Sequence, residues 1–194
     1  MYNWDDITPI PQNDGPNPVV PISYTADYTK YMDIFRAVIR QGELSERVLS
    51  LTSDILDINA ANYTVWQYRR QCLFHLHSDL DTELDYIDIF AEENPKNYQI
   101  WYHRRAVTLS HHNWRRELEF CSKVISVDSK NYHAWAHRQW ILSSYGTHET
   151  FRDELQYITD LIQADVRNNS AWNQRWFVLH ARPDTKRERE RERG

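Results

Sequence analysis

Apolar residues recur along this chain with the spacing of amphipathic α-helices. Over residues 84–91 they stand at Leu84, Ile87, Phe90 and Ala91, a spacing of i, i+3, i+6 and i+7 that places them on one helical face. The same spacing recurs at Leu49, Thr52, Ile55 and Leu56, at Leu118, Cys121, Val124 and Ile125, and at Leu155, Ile158, Leu161 and Ile162. No alternating pattern of period two competes with it, so the chain is predicted to be helical.

A tryptophan follows each of these segments, and the four tryptophans are separated by 35, 34 and 37 residues: Trp66, Trp101, Trp135 and Trp172. An asparagine stands four residues before each tryptophan: Asn62, Asn97, Asn131 and Asn168. An arginine stands three residues after each: Arg69, Arg104, Arg138 and Arg175. Because asparagine is a good N-cap, each tryptophan is predicted to lie in a second helix that begins just after the asparagine.

Each unit is therefore predicted to be a helical hairpin. One hairpin cannot bury its own apolar stripe, so neighbouring hairpins must stack and share a continuous core. We predict an all-α fold, a right-handed α-α superhelix of hairpin repeats similar in kind to tetratricopeptide arrays. The repeats occupy about 43–78, 79–112, 114–146 and 147–182, within a helical region 23–182.

The two ends of the chain lie outside this pattern. Residues 1–22 hold five of the seven prolines, which predicts an extended, proline-rich arm. Residues 186–194 alternate basic and acidic side chains without an apolar face, and we predict a charged, disordered tail over residues 183–194.

Composition narrows the function classes. Hydrophobic residues make up 41% and charged residues 26% of the chain, and the mean hydropathy is -0.77. These values are typical of a soluble globular protein, and no stretch is apolar enough to span a bilayer. The N-terminus is acidic and soon becomes proline-rich, unlike a secretory signal, so we expect a cytoplasmic location. The net charge of -5 gives no reason to expect nucleic-acid binding. Cys72 and Cys121 are isolated and are predicted to be small core residues.

Candidate functional residues lie at the polar positions that differ between repeats. Stacking requires the same residue in every repeat, whereas a ligand contacts only one or two repeats. The position two before each tryptophan holds Thr64, Gln99, His133 and Ser170. The position five before it holds Ala61, Lys96, Lys130 and Arg167. A lysine beside a helix start can bind an anion, although a solvated lysine is more common there.

The histidines and the repeat arginines favour structural roles. His133 and His137 stand four residues apart, a spacing that can hold zinc, but no third ligand of fitting spacing is nearby. We therefore expect no metal site in this chain. The four repeat arginines are predicted to stack on aromatic rings or to pair with an acid of a neighbouring helix.

The local strings NYTVWQYRR, NYQIWYHRR, NYHAWAHRQ and NNSAWNQRW resemble the repeat of protein prenyltransferase α subunits, and the likeness covers residues 43–182. The small-residue pattern of tetratricopeptide units is absent. The leading segment, residues 11–20, looks like the one that precedes the first repeat in the α subunit shared by farnesyltransferase and type I geranylgeranyltransferase. The α subunit of Rab geranylgeranyltransferase is the second reading within the family, and an interaction scaffold without catalysis is the reading outside it.

The resemblance implies an enzyme subunit that is inactive without a β subunit. The heterodimer would transfer a farnesyl or geranylgeranyl group from a prenyl diphosphate to the cysteine of a C-terminal C-a-a-X motif. Zinc would be bound by the β subunit and not by this chain, and magnesium would assist departure of the diphosphate. The partner's pocket would set the prenyl length, which this sequence leaves open.

The resemblance also assigns residues to this site. Lys96 would face the diphosphate, with Tyr98, Tyr132 and His133 as further catalytic donors. Gln99 would bind the peptide carboxylate, and Asn131 is the other substrate-binding candidate. Each has a structural alternative. Tyr63 shares its repeat position with Tyr98 and Tyr132 and serves as an internal control, and the asparagines share the N-cap position.

Overall fold

A computed structural model of the protein describes residues 2–111 and 113–181. All regular secondary structure in these residues is α-helical, which confirms the predicted all-α class. The helices are α1 (Ala26–Gln41), α2 (Glu46–Ile58), α3 (Tyr63–His75), α4 (Leu80–Glu93), α5 (Tyr98–His111), α6 (Trp114–Val127), α7 (Tyr132–Tyr145), α8 (His148–Ala164) and α9 (Asn169–Ala181). None of the helices in the described part is long and apolar enough to cross a bilayer.

The described chain forms two compact units, residues 2–90 with 97–107, and residues 91–96 with 108–181. In the first unit α1 packs on α2 and α2 packs on α3. In the second unit α6 packs on α7 and α8 packs on α9. The apolar face of α8 contributes Phe151 and Ile158 to a core that also holds Leu142, Ala171 and Val178. The predicted tail, residues 183–194, lies outside the described residues.

Helix α1 precedes the first hairpin and was not predicted as a separate element, because it lacks the tryptophan string. Thr25 caps its start by accepting a hydrogen bond from the backbone N–H of Tyr28. Its end is fixed by Gly42, whose φ of 70° lies in the left-handed region that glycine adopts without steric cost. Phe35 and Val38 bury its inner face.

The segment before α1 contains no helix or strand from residue 2 to residue 24. It lies against α1 and α2 through a few specific contacts. Arg36 Nε donates to the Ile10 carbonyl at 2.7 Å, and the two terminal nitrogens of Arg47 donate to the Asp6 carboxylate, each at 2.8 Å. Ile7 is buried.

The repeated string builds the start of each second helix. Asn62, Asn131 and Asn168 each accept a hydrogen bond from the backbone N–H three residues ahead, at 3.0–3.2 Å. In the same three hairpins the tryptophan indole donates to the carbonyl six residues before it, at 2.8–2.9 Å. The tryptophan therefore ties the turn to the helix. Trp172 differs from Trp66, since it is 44% exposed whereas Trp66 is fully buried.

Candidate functional site

A buried glutamate lies 18 residues before the tryptophan in each of the last three hairpins: Glu83, Glu117 and Glu154. In the first unit, Glu83 accepts hydrogen bonds from Arg69 Nε at 2.8 Å and Nη2 at 2.7 Å. It also contacts His103 Nε2 at 2.7 Å. Because these side chains come from α3, α4 and α5, one carboxylate joins three helices.

The second unit repeats this arrangement with one change. Glu154 accepts from Arg138 Nε at 2.8 Å and Nη2 at 2.6 Å, and its third partner is the amide of Gln174 at 2.8 Å. Gln174 occupies the repeat position that holds His103 in the first unit. A neutral hydrogen-bond donor is thus the shared feature of this position.

The repeat arginines lie within the scaffold. Arg69 stacks over Tyr86 and Arg138 stacks over Tyr157, each at 4.2 Å from the ring centroid. Every repeat arginine also contacts the side chain 16 residues before it, and these partners are Ser53, Asp88, Ser122 and Thr159. The arginines therefore hold one helix of a hairpin to the other.

In the first unit, the predicted residues lie at the start of α5. Asn97 donates to the Ala60 carbonyl at 2.8 Å and accepts from the Gln99 N–H at 2.9 Å. Tyr98 is 69% exposed and Gln99 is partly exposed. Tyr63, the internal control, is 68% exposed. Exposure alone therefore does not separate Tyr98 from Tyr63.

In the second unit, Lys96 is exposed and the His133 side chain is hydrogen-bonded to its backbone. Burial lowers the pKa of His133, and this hydrogen bond opposes the shift. Tyr132 is exposed, and its ring meets the His133 ring edge-on with 5.6 Å between centroids. The structure thus brings Lys96, Tyr132 and His133 to one surface of this unit.

Asn131 differs from these neighbours because it is buried. Its amide nitrogen donates to the Pro95 carbonyl at 3.1 Å, and its oxygen accepts from the Ala134 N–H at 3.0 Å. Both ends of the amide are used within the scaffold, and the predicted substrate contact of Asn131 stays a prediction. His137 is also buried and lies 2.7 Å from Glu117 Oε2. Within the described residues, no group of three or more His, Cys, Asp or Glu side chains could hold a metal ion.

Comparison with known proteins places this repeat in a family. The family model described as "Protein prenyltransferase alpha subunit repeat" matches residues 45–76, 80–110, 114–145 and 151–182, one match for each hairpin. The chain belongs to this family. The predicted resemblance is confirmed.

The amino-acid sequence of this chain is similar to those of several known prenyltransferase α subunits. It is 46% identical over 114 residues to the protein farnesyltransferase/geranylgeranyltransferase type-1 subunit alpha of Schizosaccharomyces pombe, which covers 59% of the chain and 39% of the relative. It is 51% identical over 91 residues to the Pisum sativum protein of that name, covering 47% of the chain and 27% of the relative. The geranylgeranyl transferase type-2 subunit alpha of Rattus norvegicus is 36% identical over 109 residues, covering 49% and 19%.

The fold of this chain is also similar to that of a chain in a solved structure. A chain of "Candida albicans protein geranylgeranyltransferase-I complexed with GGPP" superposes with a TM-score of 0.82 at 32% identity, and the match covers 97% of this chain and 66% of that one. This match supports the predicted class of helical hairpin repeats. The chain spans less than half the length of the curated relatives named above.

Sequence reasoning missed the buried glutamates of this prenyltransferase repeat. Glu83 lies on the face of α4 that carries Ile87 and Phe90, and Glu154 lies on the face of α8 that carries Phe151 and Ile158. An acid is ordinarily exposed, even beside apolar residues. The recurrence of these glutamates 18 residues before the tryptophan was the signal that could have found them. The position two after the tryptophan was a second signal, since a hydrogen-bond donor recurs there.

The buried pair of Glu83 and His103 makes stability depend on pH. Burial lowers the pKa of His103, against the hydrogen bond and charge of Glu83. Burial opposes ionisation of Glu83, yet hydrogen bonds from His103 and Arg69 bring the pKa of its carboxyl below the usual value. Unfolding returns His103 to an ordinary pKa of about 6.5. The stabilisation is therefore complete above about pH 6.5 and is lost as the pH falls towards the folded-state pKa of His103.

His103→Gln is expected to fold and to weaken this pH dependence. Glutamine can keep the hydrogen bond to Glu83, as Gln174 does with Glu154, but it takes up no proton. Thermal unfolding measured from pH 7.5 to pH 5 should show a smaller loss of melting temperature than in the wild type. His75→Gln, at an exposed position, is the matched control. An unchanged pH slope in His103→Gln would show that His103 does not titrate on unfolding.

Proposed function

We propose that this chain is the α subunit of a heterodimeric protein prenyltransferase of the farnesyltransferase and type I geranylgeranyltransferase kind. The enzyme transfers a farnesyl or geranylgeranyl group from the prenyl diphosphate to the cysteine of a C-terminal C-a-a-X motif. The observation that carries the proposal is the family repeat in four hairpins together with 46% and 51% identity to relatives with this name. The type-2 relative is 36% identical, which favours the shared subunit over the Rab enzyme subunit.

Lys96 is proposed to stabilise the diphosphate as it leaves. Negative charge grows on the leaving group as the C1–O bond breaks, and a preplaced ammonium stabilises that state more than the ground state. The exposed position of Lys96 leaves it accessible to a substrate held by a partner. Tyr132 and His133 in the same unit are the proposed hydrogen-bond donors that accompany it.

Two residues at the start of α5 are proposed to contact the substrates as well. The hydroxyl of Tyr98 is a further donor to the diphosphate, and the amide of Gln99 binds the carboxylate of the C-a-a-X peptide. The 69% exposure of Tyr98 leaves its ring accessible to a substrate, as the 68% exposure of Tyr63 does at the matching position. Because the Gln99 backbone N–H is held by Asn97 at 2.9 Å, the helix start that carries Gln99 is fixed before the peptide binds.

The partner is proposed to be the β subunit of farnesyltransferase or type I geranylgeranyltransferase, in the cytoplasm. The described residues of this chain offer no set of ligands that fits a zinc site. The zinc implied by the family would be held by the β subunit, where it supplies activation of the substrate cysteine as a thiolate. Magnesium is proposed to assist departure of the diphosphate in the farnesyl reaction.

Co-expression tests the choice of partner. The chain is expected to co-elute in size-exclusion chromatography with the β subunit of farnesyltransferase or type I geranylgeranyltransferase, and the pair should prenylate a C-a-a-X peptide. Co-elution only with the Rab enzyme's β subunit would indicate that the chain is instead the α subunit of Rab geranylgeranyltransferase. A complex that forms but transfers no prenyl group would favour an interaction scaffold.

A further inference from the structure

The fourth hairpin carries an uncovered apolar stripe on α9, formed by Trp172, Trp176 and Leu179, and we call it the α9 stripe. These side chains stand at i, i+4 and i+7, so they lie on one face of the helix. They are 44%, 62% and 43% exposed. Beside them lies Val166, whose carbonyl accepts the Trp172 indole N–H at 2.8 Å and whose side chain is also exposed. A contiguous patch of large apolar side chains marks an interaction surface.

The positions that match the α9 stripe in other hairpins are covered by the hairpin that follows. Trp66, which matches Trp172, is fully buried, and its ring meets the ring of Phe90 edge-on with 5.8 Å between centroids. Leu142, which matches Leu179, is 1% exposed and packs in the core that α8 and α9 share with it. The α9 stripe is therefore a stacking face of the repeat. Among the described residues, no hairpin covers it.

Trp176 distinguishes the α9 stripe from the stacking faces of the other hairpins. The matching residues are all polar: Arg70, Arg105 and Gln139. A hairpin that follows in the ordinary stack thus meets a polar side chain at this position, whereas Trp176 presents an indole. Its ring stacks on His180 with 4.3 Å between centroids, which fixes its orientation. An exposed and oriented indole favours an apolar or cationic partner.

Arg175 adds a cation beside the α9 stripe. Its equivalent in the first hairpin, Arg69, pairs with Glu83 and stacks over Tyr86, and both partners belong to the following hairpin. Arg175 donates to Thr159 Oγ1 at 3.1 Å, but within the part of the chain that the structure describes it has neither a carboxylate nor an aromatic ring as a partner. Its guanidinium can therefore stack over a ring that another molecule supplies.

We propose that the α9 stripe pairs with the α9 stripe of a second copy of this chain about a two-fold axis, with Arg175 of each copy stacked over an indole of the other. The stripe and Arg175 supply both the ring and the cation, so this face is complementary to itself, as a two-fold interface requires. No acidic side chain occurs on α9 to compete for the arginine. Tryptophan and arginine are enriched among the residues that contribute most to protein interfaces. The inference does not depend on the proposed function.

A head-to-tail arrangement is disfavoured, because α1 covers the first hairpin. Helix α1 packs on α2, and Phe35 meets Tyr68 edge-on with 5.6 Å between ring centroids. Residues 183–194 are a poor occupant of the stripe, since most of them are charged. Two α9 stripes are left to meet, and such a pair closes as a dimer. The stripe is small beside the about 20–30 residues per side of a standard interface, so we expect a weak dimer.

Sedimentation velocity of the full chain tests the inference. The wild type is expected to shift from a 23.4 kDa monomer to a dimer as its concentration rises from about 1 to 100 µM. Trp176→Gln, which introduces the residue type of Gln139, should weaken self-association at least about tenfold. Arg175→Gln keeps a donor for Thr159 but removes the charge, and should weaken it about threefold or more. Tyr63→Gln removes an aromatic ring of similar exposure, 68%, and is the matched control that should dimerise as the wild type does.

The other outcomes overturn the inference in distinguishable ways. A wild type that stays monomeric over this range contradicts it, and so does a dimer that Trp176→Gln and Arg175→Gln leave unchanged, because that dimer uses another surface. If the dimer forms only after removal of residues 183–194, those residues cover the stripe instead. If Trp176→Gln weakens binding of the β subunit and not self-association, the stripe docks that subunit, and the proposed function stands without this inference. An unchanged melting temperature of the two variants excludes misfolding as the cause of weaker association.

Discussion

Replacing Lys96 by alanine is expected to slow prenyl transfer by the assembled heterodimer by about 10²–10³-fold, the cost of losing one well-placed donor to a developing anion. The side chain is exposed, so the substitution should leave folding unchanged. Subunit association should also survive, since the proposed role of Lys96 is realised only as the leaving group gains charge. Single-turnover kinetics with saturating substrates measures this step without interference from product release.

Lys130→Ala is the matched control for this prediction. Lys130 occupies the same repeat position one hairpin later and is also exposed, but the resemblance gives it no contact with the diphosphate. Its rate should lie close to that of the wild type. Equal losses in the two variants would indicate a general electrostatic effect of the basic residues, and an unchanged rate in Lys96→Ala would remove Lys96 from the site.

Arg69→Met is expected to lower the free energy of unfolding by about 3–5 kcal/mol, the usual cost of breaking a buried ion pair from one side. The substitution leaves the Glu83 carboxylate buried with only His103 as its remaining side-chain partner. It also removes the hydrogen bonds from Arg69 to Thr52 at 3.0 Å and to Ser53 at 2.9 Å. Urea unfolding of the chain measures the loss.

Two further variants separate the ion pair from a general effect of losing an arginine. Arg152→Met removes a side chain that is 74% exposed, and its effect should stay within about 0.5 kcal/mol. The double variant Arg69→Met with Glu83→Gln should be less destabilised than the sum of the single variants, because the two residues share one interaction. A loss below about 1 kcal/mol in Arg69→Met would show that solvent reaches the pair.

The hairpins could be predicted from the sequence because each one carries its own local signals. The asparagine cap, the tryptophan and the apolar stripe act within one or two turns of a helix, and Asn62 and Trp66 make the contacts that their spacing indicates. Helix α1 carries no such string, so only its amphipathic residues and Gly42 marked it. The local signals therefore predicted each repeat, whereas α1 was predicted only as part of the helical region 23–182.

The repeat arginines were predicted to pair with an acid of a neighbouring helix, but the acids themselves were not identified, because they are distant from the arginines in sequence. Arg69 reaches Glu83, 14 positions away, and Arg138 reaches Glu154, 16 positions away. Each glutamate lies on the apolar face of its helix, but that position does not show which arginine it will meet.

The candidate site was predictable as a set of residues but not as a set of roles. The same tyrosine position gives nearly equal exposure in Tyr63, Tyr98 and Tyr132, so neither sequence nor exposure distinguishes a donor from a surface ring. Asn131 shows the opposite case, because its two scaffold hydrogen bonds become visible only in the folded chain. On the proposed function, the roles of these residues depend on the β subunit and the substrates bound beside them.

The rate of transfer of a labelled prenyl group to a C-a-a-X peptide tests the central claim most directly. The chain co-purified with its β subunit should catalyse the transfer, each subunit alone should not, and removal of zinc by a chelator should abolish it until zinc is restored. A stable complex without any transfer, or equal transfer by the β subunit alone, would contradict the assignment of this chain as a prenyltransferase α subunit.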